Sequence, residues 1–118
     1  MVKNGYLFPM YSLIWRFTVK PARRADFERH YGAAGTWAAL FRESPGYLGT
    51  ELLRDTVRNT VYVTIDRWTD AAAFAAFKTA YGAAYAALDR ECESLTLHEE
   101  CLATREEPNS PSGSGRRS

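Results

Sequence analysis

The chain has 118 residues, a formal net charge of +1 and 46% hydrophobic residues, a composition that fits one domain with a small core. So balanced a charge leaves no electrostatic footprint for nucleic acid, and the Arg116-Arg117 pair reads as solvated. No apolar run is long enough to span a membrane and Met1 to Met10 lacks the charged-then-apolar order of a secretory signal, so a cytoplasmic protein is expected, with Cys92 and Cys101 as reduced core thiols.

Residues 1–10 form an N-terminal extension, and Tyr11 to Val19 predicts a strand with Leu13, Trp15, Phe17 and Val19 on one face and Ile14, Arg16 and Thr18 on the other. Lys20-Pro21 ends it. A helix starting near Ala22 carries Phe27, Tyr31 and Ala34 on one stripe; Gly32 and Gly35 loosen it before Thr36 caps a short segment holding Trp37, Leu40 and Phe41. Pro45-Gly46-Tyr47 writes a turn. Tyr47 to Arg54 and Val61 to Trp68 then read as an antiparallel pair joined by the polar loop Asp55 to Asn59. In the second strand Val61, Val63 and Ile65 share one face, and Tyr62, Thr64, Asp66 and Trp68 the other.

The period changes after Trp68. Thr69 or Asp70 caps a long amphipathic helix with Phe74, Phe77, Tyr81, Tyr85, Leu88 and Cys92 at three- and four-residue steps, interrupted only weakly at Gly82. The last strand is expected over Leu95 to Ala103. The domain runs over residues 11–105, and the Pro-, Gly- and Ser-rich stretch 106–118 reads as a disordered tail.

Two βαβ halves with right-handed crossovers predict an α+β, ferredoxin-like βαββαβ domain, its four-stranded antiparallel sheet covered by helices on one face. Val61, Val63 and Ile65 make the other face too apolar for water, so a twofold partner is expected to cover it. The product is a homodimer built as a dimeric α/β barrel, with a separate pocket between sheet and helices in each subunit.

Trp15-Arg16-Phe17-Thr18-Val19-Lys20-Pro21, Phe27-Glu28, Trp37, Pro45 to Leu52 and Tyr62 to Trp68, followed by Phe74 and Phe77, resemble the antibiotic biosynthesis monooxygenase family over roughly Tyr11 to Ala103. The wider superfamily also holds heme-degrading enzymes, isomerases, cyclases and decarboxylases, so the resemblance speaks first for fold and dimer. The heme-degrading pattern resembles an Asn on the first strand, a Trp closing the third and a heme-ligating His on the second helix. Trp68 matches the Trp, but Trp15 and Lys78 stand at the other two places and heme degradation is disfavoured. The resemblance implies instead cofactor-free oxidation of a phenolic or anthrone-like aromatic by dioxygen, with a non-oxidative cyclase, isomerase or ligand-binding protein as the alternative. Such chemistry needs a dry cavity, a base, and donors that steady developing negative charge, because the deprotonated substrate itself passes an electron to dioxygen.

Candidate substrate-binding residues are Trp15, Phe17, Trp37, Tyr62, Thr64, Phe77, Tyr81 and Tyr85, although aromatics at such spacings are more often core. Trp68, at a strand end beside a helix N-terminus, marks an expected pocket mouth and matches the family's site Trp. His30, Asp66 and His98 rank together as bases: His30 for its helix position, Asp66 for sharing a face with Thr64, His98 for alternating with Glu100. Asp66 has a competing use as an ion-pair partner of Arg16 or Arg54. Cys92, His98 and Cys101 are spaced C-x5-H-x2-C, which is no zinc pattern, and no metal is expected. G-x-S-x-G and Gly-rich phosphate or dinucleotide motifs are absent.

Overall fold

The structure, a computed structural model, describes residues 10–106, so most of the N-terminal extension and of the tail lies outside the described residues. The elements are β1 (Tyr11–Val19), a 3-10 turn (Pro21–Arg23), α1 (Arg24–Tyr31), α2 (Thr36–Phe41), β2 (Tyr47–Arg54), β3 (Val61–Trp68), α3 (Ala71–Ala80), α4 (Gly82–Cys92), a second 3-10 turn (Glu93–Leu95) and β4 (Thr96–Glu106). The sheet is antiparallel with order β2-β3-β1-β4, which is the ferredoxin-like arrangement. Met10 is 2% exposed and belongs to the core rather than to an extension.

Several boundaries differ from the expectation for local reasons. Pro21 starts a 3-10 turn, so the first α-helix begins at Arg24 and not near Ala22. Gly35, not Thr36, stands at the N-cap of α2, and the Thr36 hydroxyl turns to His30 instead. The second helix is divided: Tyr81 leaves helical geometry at φ −117° and ψ 25°, and α4 restarts at Gly82. Asp70 caps α3, its Oδ1 accepting from the Ala73 N–H at 2.8 Å. Leu95 lies in the 3-10 turn and β4 extends through Glu106, past the predicted end at Ala103.

Strand alternation sends Leu13, Phe17 and Val19 of β1 and Tyr62 and Trp68 of β3 toward the helices, where they meet Phe27, Trp37, Phe41, Phe77 and Leu88. The other sheet face carries Ile14, Val63 and Ile65, each partly accessible, with Leu53 49% and Leu102 43% exposed. Arg16–Glu100 at 3.1 Å and Arg67–Glu51 at 2.6 Å cross this apolar surface as ion pairs.

Candidate active site

A cavity of about 170 Å³ opens between the sheet and the helices. Its walls are Trp15 and Phe17 from β1, Tyr31 from α1, Trp37 and Phe41 from α2 and Tyr85 from α4. Polar groups enter from β3, which pairs with β1, and from β2 beyond it: Thr64 and Asp66 on β3 and Thr50 on β2. The exposed carboxylates of Asp89 on α4 and Glu99 on β4 form its rim. No Lys, Arg or His lines it among the described residues.

Asp66 is the one sequence-predicted base that lines the cavity. Burial pushes its carboxyl up to about 6, opposed only in part by the Thr50 hydroxyl, which donates to Oδ1 at 2.7 Å. Tyr47 Oη lies 2.6 Å from the same Thr50 oxygen, so the three groups form a chain. Neither Arg16 nor Arg54 takes Asp66; Arg16 is paired with Glu100. Desolvation also raises Tyr85 and Glu99, the latter further through the negative charges of Asp89 and Glu93.

His30 and His98 lie elsewhere. His30 is 4% exposed, its Nδ1 3.0 Å from Thr36 Oγ1 and its Nε2 3.8 Å from Glu91 Oε2, so it fastens α1 to α2 and to α4. His98 is exposed and bonds Glu100 at 3.1 Å, at the solvated edge. Neither lines the cavity.

The aromatic candidates also divide. Trp15, Phe17, Trp37 and Tyr85 reach the cavity, together with Thr64. Trp68 does not stand at a pocket mouth: it is 0% exposed, enclosed by Phe41, Tyr47, Phe74 and Phe77 with ring centroids 5.3–5.5 Å apart, and its Nε1–H has no partner. Phe77 is core as well, at 1% exposure. Tyr81 reaches toward the Glu43 carbonyl at 3.5 Å, and Tyr62 donates to Glu28 Oε2 on the far side of the sheet's helical face. Sequence reasoning missed Tyr31, Phe41, Thr50, Asp89 and Glu99. Of these only Tyr31 and Phe41 carried a signal, as apolar-stripe positions on the first two helices.

Lys78 sits outside the cavity, its Nζ 4.4 Å from the centroid of the Tyr85 ring. Cys92 is buried, whereas Cys101 is exposed and not a core thiol; both are free. Among the described residues no group of three or more His, Cys, Asp or Glu side chains is placed to hold a metal ion.

The sequence pattern of the antibiotic biosynthesis monooxygenase family matches residues 10–87, the stretch that supplies every cavity residue except Asp89 and Glu99. The chain belongs to this family. Among solved family-like structures, a variant of SnoaB, a cofactor-independent oxygenase from Streptomyces nogalater, is 28% identical with a TM-score of 0.64, over 81% of this chain and 93% of that one. PA3566 from Pseudomonas aeruginosa is 21% identical with a TM-score of 0.59, over 86% of this chain and 95% of that one. NE2512 from Nitrosomonas europaea, a protein of unknown function, is 17% identical with a TM-score of 0.66, over 93% of this chain and 100% of that one. These last two show the fold alone. No curated protein matches the chain in sequence.

Proposed function

We propose that the protein is a cofactor-independent monooxygenase that oxidises a phenolic or anthrone-like aromatic substrate with dioxygen, and that Asp66 is its base. The observation that carries this reading is a carboxylate raised to about 6 within an aromatic-walled cavity. A base tuned toward neutral pH takes a proton more effectively than an ordinary carboxylate does. Trp15, Phe17, Trp37 and Tyr85 sandwich the ring system, and Thr64 donates to the substrate oxygen on which negative charge develops. Asp66 removes a proton from the activated carbon, and the resulting carbanion passes electrons to dioxygen. One oxygen atom becomes the new carbonyl and the other leaves as water with the displaced hydrogens.

The likeness to SnoaB, described as a cofactor-independent oxygenase, supports the same reading. We further place the protein as a homodimer joined through the uncovered sheet face, in the cytoplasm, where the free Cys92 and Cys101 thiols persist. No helix among the described residues is long and apolar enough to cross a membrane.

The test is oxygen uptake by metal-stripped protein supplied with 1,8-dihydroxyanthrone. Uptake above the buffer rate is expected, falling by about a hundredfold or more in Asp66→Asn. Tight binding without uptake would sink the oxygenase reading and leave a non-oxidative role for the cavity.

A further inference from the structure

The register of β2 contains an irregularity placed directly beside Asp66. Tyr47 pairs with Trp68, but Gly49 pairs with Arg67 and Thr50 with Asp66, so Leu48 has no partner on β3. Gly49 adopts φ +148°, a conformation side chains rarely accept, and nothing lies within 4 Å of where a Cβ would stand. This is a β-bulge, and its effect is to change which residues share a face. In a regular strand residues three apart point to opposite sides. Across the bulge Tyr47 and Thr50 both face the helices, each opposite a β3 residue of that same face. Hence two hydroxyls and the Asp66 carboxylate stand in line, at 2.6 Å and 2.7 Å.

We propose that Tyr47 and Thr50 are positioning residues that form a proton exit from Asp66 to water, and that the Gly49 bulge exists to align them. The proposal rests on Asp66 acting as the base. In the resting state the Tyr47 O–H donates to Thr50, and the Thr50 O–H donates to the Asp66 carboxylate. Once Asp66 holds the substrate's proton the two hydroxyls turn round. Asp66 then gives its proton to Thr50 as Thr50 gives its own to Tyr47 and Tyr47 releases one to solvent, so the chain ends with the proton count it began with. Tyr47 suits the outer place because it is only half-buried and stands on an edge strand.

The titratable groups that share the cavity with Asp66 are Tyr31 on α1, Tyr85 and Asp89 on α4 and Glu99 on β4, and desolvation raises Tyr31, Tyr85 and Glu99. The Arg42 charge opposes the rise that burial imposes on the Tyr47 phenol.

Two readouts test the exit, one of them free of oxygen chemistry. The first is 13C-NMR titration of the Asp66 carboxyl. Thr50→Val, which keeps shape and removes the donor, is expected to raise its pKa, Thr50→Ser to restore it, and Tyr47→Phe to leave it near the wild-type value. The second is anaerobic exchange of the methylene hydrogens of 1,8-dihydroxyanthrone with heavy water. Exchange is expected to fall about tenfold in Tyr47→Phe and in Thr50→Val, and imidazole in the medium to restore it in Tyr47→Phe by taking the proton directly. Wild-type exchange rates in both variants, or an Asp66 pKa indifferent to Thr50→Val, would overturn the proposal. Exchange that depends on both hydroxyls in a protein that consumes no oxygen would leave the exit standing and remove only the oxygenase reading.

Discussion

Asp66 is held in a state that works against the fold. Its pKa is pushed up to about 6, whereas a carboxyl in the unfolded chain titrates near about 3.9. Between those values the folded protein holds more protons than the unfolded one, so this group's contribution is full below the lower value and is lost as pH rises through the higher. The separation is worth about 3 kcal/mol. Asp26, Asp55 and Glu100 act in the opposite sense, because Arg23, backbone N–H groups of Arg58 and Val57, and Arg16 respectively hold them below the usual carboxylate range. The difference between wild type and Asp66→Asn isolates the single residue. Denaturant titrations should show the two proteins alike near pH 4 and the variant more stable above pH 6, where the wild type buries a charge and the amide does not. A difference independent of pH would show that Asp66 is not desolvated. Stability is thus given up at the position where a base is needed, and the same substitution that stabilises should stop proton abstraction.

At the scale of elements, the α1–α2 connection sets the cavity because it carries Tyr31 on one side and Trp37 on the other. Gly35 permits the two helices to approach. A Cβ there would lie 2.5 Å from the Arg29 carbonyl oxygen and 2.8 Å from that of His30, and backbone cannot move aside as a flexible side chain would. His30 completes the connection through Thr36, which explains why a histidine with the spacing of a candidate base is a structural tie instead. Gly35→Ala should therefore cost about 1–3 kcal/mol, read as a lower urea midpoint at unchanged slope. It should also weaken quenching of Trp37 fluorescence by a bound anthrone. A midpoint equal to wild type would mean that the connection yields without strain. The break at Tyr81 serves the same cavity from the other side, since α4 as a separate helix brings Tyr85 and Asp89 to it.

For the whole molecule the decisive feature is the uncovered sheet face. Val61 is 8% exposed there while Leu53 and Leu102 stay 49% and 43% exposed, and the Arg16–Glu100 and Arg67–Glu51 ion pairs cross it. A surface of this kind is suited to a second copy of itself. Sedimentation should give twice the mass of the 13.3 kDa chain, and Val63→Lys, which places a charge on that face without touching the cavity, should return the monomer. A monomeric wild type would remove the dimer from the account and leave the site intact.

The chain's local periodicity determined a good deal by itself. The switch from two-residue to three- and four-residue spacing at Asp70 marks the third strand and its following helix, and alternation along Val61 to Trp68 puts Thr64 and Asp66 on the helical face. These properties repeat within a few residues, so spacing reveals them. The cavity does not repeat. It is the volume left over when two layers of unequal side chains meet, and Trp68 fills its share while Trp15 does not, though both obey the same alternation. Thr50 was beyond reach for a related reason: a glycine within a strand signals irregularity, but only pairing with β3 decides that Leu48 is extruded and Thr50 is turned onto Asp66. Local spacing assigned residues to faces; tertiary packing decided which of them line the cavity.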